Sequence, residues 1–115
     1  MDDDVQQYVE AIPAEQRPLF DRVHGLILAS HPDAEVVLSY KMPTYVVGAR
    51  RLHVAAWAHG VSLYGWDAAR DGGFVARHPD LSSGRGTIRL RTRDAAGISD
   101  GELTDLIDGA LDEEE

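Results

Sequence analysis

The amino-acid sequence predicts an α+β domain in two layers: an antiparallel sheet of about five strands, with helices packed on one face. Three observations carry this. Apolar residues recur at helical spacing near both ends of the chain, period-two alternation of β-branched and aromatic residues fills the middle, and Gly and Pro punctuate that middle block. With 115 residues the chain suits a single domain over 1–115, long enough to bury a core without disulfides or a structural metal.

Val5, Tyr8, Val9 and Ile12 lie at i, i+3, i+4 and i+7 and predict a short first helix, stopped by Pro13. Leu19, Phe20, Val23, Leu26 and Ile27 predict a second, longer helix that starts between Ala14 and Pro18 and ends before Pro32. Strands are expected at about 35–40, 44–48, 51–57 and 61–65. Tight turns are expected at Gly48-Ala49-Arg50 and at His59-Gly60, where Gly would supply a positive φ. A hairpin centred on His59 and Gly60 sets Trp57 opposite Ser62 and Ala55 opposite Tyr64. Asp67 reads as the N-cap of a helix running toward His78, weakened by Gly72 and Gly73. A fifth strand covers Arg85 to Arg91. The chain closes on a helix announced by a capping box, Ser99-Asp100-Gly101-Glu102, ahead of Leu103, Leu106, Ile107, Ala110 and Leu111.

Composition removes several kinds of chemistry. The absence of cysteine excludes disulfides, thiolate catalysis and cysteine-ligated metal clusters. A net charge of -9 opposes nucleic acid as a partner. No run of about 18 apolar residues is present, and no basic stretch leads into an apolar one, so neither a membrane span nor a signal peptide is expected. A cytoplasmic location follows as the default. Enzyme motifs such as G-x-S-x-G, a Walker loop or G-x-G-x-x-G after a strand are missing, so a binding protein is expected and not an enzyme.

Period-two counting sends Leu52, Val54, Ala56, Val61, Leu63, Ile88 and Leu90 to the helix-packed face. The other face then carries His53, Trp57, Ser62, Tyr64, Thr87, Arg89 and Arg91, joined by Tyr45. Arg85, Arg89, Arg91 and Arg93 make a local basic stripe in an acidic chain. Such a face can hold a small anionic or aromatic ligand, be covered by a second copy as a homodimer, or consist of ordinary cross-strand pairs and internal ion pairs. In Ser39-Tyr40-Lys41-Met42-Pro43-Thr44-Tyr45, Pro43 predicts a bend at Met42-Pro43 between two strands. Lys41, Tyr40 and Tyr45 would then point into a shared cleft, Lys41 either anchoring an anion or remaining a solvated charge.

On the last helix Glu102, Asp105, Asp108 and Asp112 are spaced 3, 3 and 4 apart and share one face. Hard cations prefer such oxygen ligands, although an acidic helix face is ordinarily a solvated one. The five histidines show no metal-site spacing.

The segment from Ser39 to Tyr45, Val61-Ser62-Leu63-Tyr64 and Ser83-Gly84-Arg85-Gly86-Thr87-Ile88-Arg89 occur in an order that resembles the YdhG-like family of small bacterial proteins. That family includes an intracellular, frataxin-like iron chaperone. The resemblance covers nearly the whole chain and implies the same class of fold. It also implies iron binding and delivery to an iron-accepting protein, for which the four carboxylates of the last helix would supply ligands. The chain departs from the family pattern at Gly65-Trp66, where a proline commonly follows the Leu-Tyr, and at Arg85, where lysine is frequent.

Overall fold

The computed structural model describes residues 3–58, 60–65, 73–81 and 87–111. In chain order they form α1 (Asp3–Glu10), α2 (Arg17–Ser30), β1 (Glu35–Ser39), β2 (Met42–Val47), β3 (Arg50–Trp57), β4 (Gly60–Tyr64), α3 (Phe74–Arg77), a 3₁₀ turn (Pro79–Leu81), β5 (Thr87–Arg91), α4 (Thr92–Ala95) and α5 (Asp100–Leu111). The five strands lie in one antiparallel sheet in sequence order. The expected two-layer α+β fold is the observed one.

The helical stripes become the second layer. Val5 and Val9 of α1, Leu19, Phe20, Val23 and Ile27 of α2, and Leu103, Leu106, Ile107, Ala110 and Leu111 of α5 are buried together with Leu52, Val54, Val61, Leu63, Ile88 and Leu90 of the sheet. Each Val, Leu, Ile or Phe among them contributes about 1.5–3 kcal/mol by leaving water. Helix α1 packs on β1 and β2, while α5 packs on β3 and on α2. The capping box forms as expected: the Glu102 amide donates to Ser99 Oγ at 3.2 Å, and the Ser99 amide to Glu102 Oε2 at 3.4 Å. Arg22 ties α2 to the end of α4, the link after it and the start of α5, donating to the carbonyls of Ala95 and Ile98 at 2.9 and 2.6 Å and to Asp100 at 2.7 Å. Helix α4 was not expected from the sequence, and the expected cap at Asp67 lies outside the described residues.

Four local expectations are corrected. Trp57 pairs with Gly60, Ala55 with Ser62 and His53 with Tyr64, so Trp57 does not face Ser62. The partners differ from those expected by two positions, which changes neighbours and preserves faces because the strand period is two. Gly60 is not a positive-φ residue; it opens β4 because a Cβ there would run into the Leu90 carbonyl and come within 2.9 Å of Arg91 Cα.

The bend at Met42-Pro43 is likewise replaced. Ser39 pairs with Met42 and Leu38 with Pro43, so Pro43 lies inside β2. The β2–β3 ladder begins one residue later, at Thr44 opposite His53, which agrees with the donor that Pro43 lacks. The turn is Tyr40-Lys41, with φ of 53° and 61°, the left-handed pair of a type I′ hairpin turn. Finally, Tyr45 belongs to the core face: it pairs with Leu52 and is fully buried.

Candidate functional site

On the face turned away from α1, α2 and α5, antiparallel register sets three rows of side chains across β3, β4 and β5. Trp57, Gly60 and Arg91 form one row, Ala55, Ser62 and Arg89 the next, and His53, Tyr64 and Thr87 the third. The period of two that buries Val54, Leu63 and Ile88 on the other side produces this arrangement directly. His53, Trp57, Ser62, Tyr64, Thr87 and Arg89, six residues expected on this face, are therefore brought together. Arg85 lies outside the described residues.

The guanidinium of Arg89 lies over the indole of Trp57, with Cζ 5.6 Å from the ring centroid. The ring holds an otherwise mobile side chain by attraction between cation and π face. Two hollows flank this pair. One, of about 590 Å³, is lined by Glu15, Gln16, Trp57, Arg89, Arg91 and Arg93, among others. The second, of about 460 Å³, runs from Trp57 and the same arginines to Asp80 and Asp94. Among the described residues none of Arg89, Arg91 and Arg93 forms a salt bridge, although three carboxylates line these hollows. A third hollow, of about 190 Å³, opens over Ala55 and Ser62 between Trp57, Tyr64 and Arg89.

Gln16 was not singled out from the sequence, yet it anchors the end of this site. It is 4% exposed, donates to the Ala58 carbonyl at 2.7 Å and accepts from the Thr92 hydroxyl at 2.9 Å. It thereby fixes the end of β3 and the start of α4, which carry Trp57 and Arg93. Its partners lie 42 and 76 residues away, so no local pattern marks it.

Farther along the face, Thr44 Oγ1 is 2.7 Å from Nδ1 of His53 and 3.2 Å from the Met42 carbonyl. A hydroxyl proton given to that carbonyl leaves Oγ1 accepting from Nδ1–H and makes Nε2 an acceptor. Burial first, and the positive charge of Arg51 second, hold the His53 imidazole below its ordinary pKa. Tyr40 is 84% exposed and meets the His53 ring edge-on, with centroids 5.9 Å apart. Lys41 is exposed in the same turn.

The shared cleft of Tyr40, Lys41 and Tyr45 does not form. Tyr45 points to the opposite layer, where its hydroxyl is 2.8 Å from Nδ1 of His24. Burial, with Asp21 adding to it, pushes this phenol well above the tyrosine range. The His24 imidazole is lowered by burial chiefly, helped by the N-terminal charge and opposed by Asp21. A protonated phenol donating to a neutral imidazole satisfies both groups.

The carboxylates of the last helix are drawn to different partners. Glu102 meets Arg77 at 2.8 Å and His78 at 3.2 Å, and these hydrogen bonds hold its pKa below the usual carboxylate value. Asp108 meets His31 at 3.1 Å. Asp105 is exposed, and Asp112 lies outside the described residues. Among the described residues no group of three or more His, Asp or Glu side chains is placed to hold a metal ion. No described helix is long and apolar enough to cross a membrane.

Comparison with known proteins adds no relative: no family model, no curated protein and no solved structure matches the chain.

Proposed function

We propose that this chain is a binding domain, not an enzyme, and that its ligand is a small organic anion held on the outer sheet face by Arg89, Arg91 and Arg93 beside Trp57. One observation carries the reading. The sequence holds 20 acidic residues against 11 basic ones, yet these three neighbouring guanidiniums form no salt bridge among the described residues. In so acidic a chain internal partners are abundant, and carboxylates already stand at the rim. Guanidiniums left with open donor forks suit a carboxylate or phosphate from outside, which they grip in two places at once. Trp57 reduces the ordering that Arg89 must undergo on binding, and so strengthens the grip.

Covering by a second copy is favoured less. Trp57 and Tyr64 are only half-buried and flank Arg89, and among the described residues Tyr40 is the one large hydrophobic side chain classed as exposed. An apolar dimer patch needs more. The test is calorimetric titration of the full chain with benzoate, acetate and inorganic phosphate at low and high salt. Saturable binding is expected, weakened by salt and lost when Arg89, Arg91 and Arg93 are all replaced by Gln. Equal heats from parent and triple variant, or no saturable heat from any probe, would overturn the proposal.

A further inference from the structure

Ser62 is a polar side chain recessed at the centre of this face. It is 2% exposed, and the little surface it keeps includes its hydroxyl, which is not fully buried. Among the described residues its hydroxyl makes no hydrogen bond. Alternation sends that hydroxyl to the outer face, where Ser62 lines the hollow of about 190 Å³ with Ala55, Trp57, Tyr64 and Arg89. Register sets Ser62 between Ala55 on β3 and Arg89 on β5. The hollow therefore combines a floor of two small residues, one recessed hydroxyl that makes no hydrogen bond to the described residues and opens into the hollow, one guanidinium held over an indole, and a phenol ring as wall.

We propose that this hollow is the head-group site of the anion, and that it takes a small planar carboxylate: one oxygen accepts from the Ser62 hydroxyl, the other from the Arg89 guanidinium, and an attached ring lies beside Tyr64. The proposal rests on the anion-binding reading above and narrows it to a place and a chemical class. Size argues for it, because the space is below the roughly 300–1,000 Å³ of sites for drug-sized ligands. Donor number argues for it too. A hydroxyl and one fork satisfy a flat, two-oxygen group, whereas a tetrahedral phosphate presents further oxygens that need donors. Tyr64 and the indole edge supply apolar contact for a ring, which acetate would not use.

The test is a heteronuclear NMR and calorimetric titration of the full chain with benzoate, acetate and inorganic phosphate. Benzoate is expected to bind most tightly and to shift the amides of Ala55, Ser62 and Tyr64. Ser62→Ala is expected to weaken it about tenfold or more, the worth of a hydrogen bond to a charged acceptor. Arg89→Lys, which keeps the charge and loses the fork, is expected to weaken it about as much, and thermal unfolding of both variants confirms that the fold is kept. Anion binding that is lost on Arg91→Gln with Arg93→Gln but indifferent to Ser62→Ala would overturn the hollow and leave the arginine reading standing. Preference for phosphate over benzoate would overturn the carboxylate. No binding of any anion would overturn both readings together.

Discussion

Arg89 lies over the indole of Trp57, 5.6 Å from guanidinium carbon to ring centroid, although the two residues sit on strands separated by β4. Gly60 is the β4 partner of Trp57 and Ser62 the β4 partner of Arg89, so the contact crosses β4 on the diagonal. The aromatic ring and the arginine thus form one unit. Trp57→Leu keeps apolar bulk and removes the π face, so carboxylate affinity should fall about two- to fivefold, the range of an exposed cation–π contact. Trp57→Phe should lose less. Titration with benzoate checks both, and an unchanged affinity in the leucine variant would show that the ring does not position Arg89.

Gly60 also sets the distance between β4 and β5. Because a Cβ would collide with the Leu90 carbonyl and crowd Arg91 Cα, backbone would have to move, not a flexible side-chain tip. Gly60→Ala is expected to cost about 2–3 kcal/mol, the scale of overpacking, and to displace Arg89 and Arg91 together. Urea unfolding measures the first effect and anion titration the second. A variant with the parent's unfolding midpoint would contradict this account.

The hairpin turn is built from residues poorly suited to it. Tyr40 and Lys41 both hold positive φ, a conformation that costs an L-residue about 1–2 kcal/mol and that Asn-Gly adopts readily. Replacing the pair, Tyr40→Asn with Lys41→Gly, should therefore stabilise the chain by about 1–2 kcal/mol in chemical denaturation. A lower midpoint would mean that the contact of Tyr40 with the His53 ring outweighs the backbone strain.

Two imidazoles make stability depend on pH. His24 and His53 both have lowered pKa values, chiefly through burial, against an ordinary value of about 6.5 in the unfolded chain. Below about pH 6.5 the unfolded chain takes up protons that the native chain resists, so stability is complete above that pH and falls as pH drops toward the native values. Glu102 is shifted in the acid direction, so its stabilising contribution is lost only below the ordinary carboxylate range. Urea midpoints at pH 7.5 and 5.5 therefore isolate the histidines. The parent should lose more stability across that interval than a variant with His24→Asn and His53→Asn, and equal losses would refute the assignment.

Much of the outer face was legible in the sequence because face membership depends only on parity along a strand. Moving the β3–β4 turn changed each partner by two positions and left Trp57, Ser62, Tyr64 and Arg89 on the same side. Tyr45 was assigned to the wrong side for a different reason. A tyrosine fits either a half-wet surface or a core that meets its hydroxyl, and its partner, His24, comes from a helix 21 residues earlier. Gln16 was invisible for the same cause, since both its partners are distant in sequence.

What the sequence determined by itself is what nearest neighbours decide: the 3.6-residue stripes of α1, α2 and α5, the alternation of the strands, and the Ser99–Glu102 capping box, all set by backbone geometry within a few residues. Only the tertiary structure decided which charges have partners. Glu102 and Asp108, two members of the acidic series on the last helix, are engaged by Arg77, His78 and His31, whereas Arg89, Arg91 and Arg93 form no salt bridge among the described residues. Spacing along a chain fixes direction within one element, but a Coulombic or hydrogen-bonded pair needs two groups within a few ångströms, and that distance is set by how the elements pack.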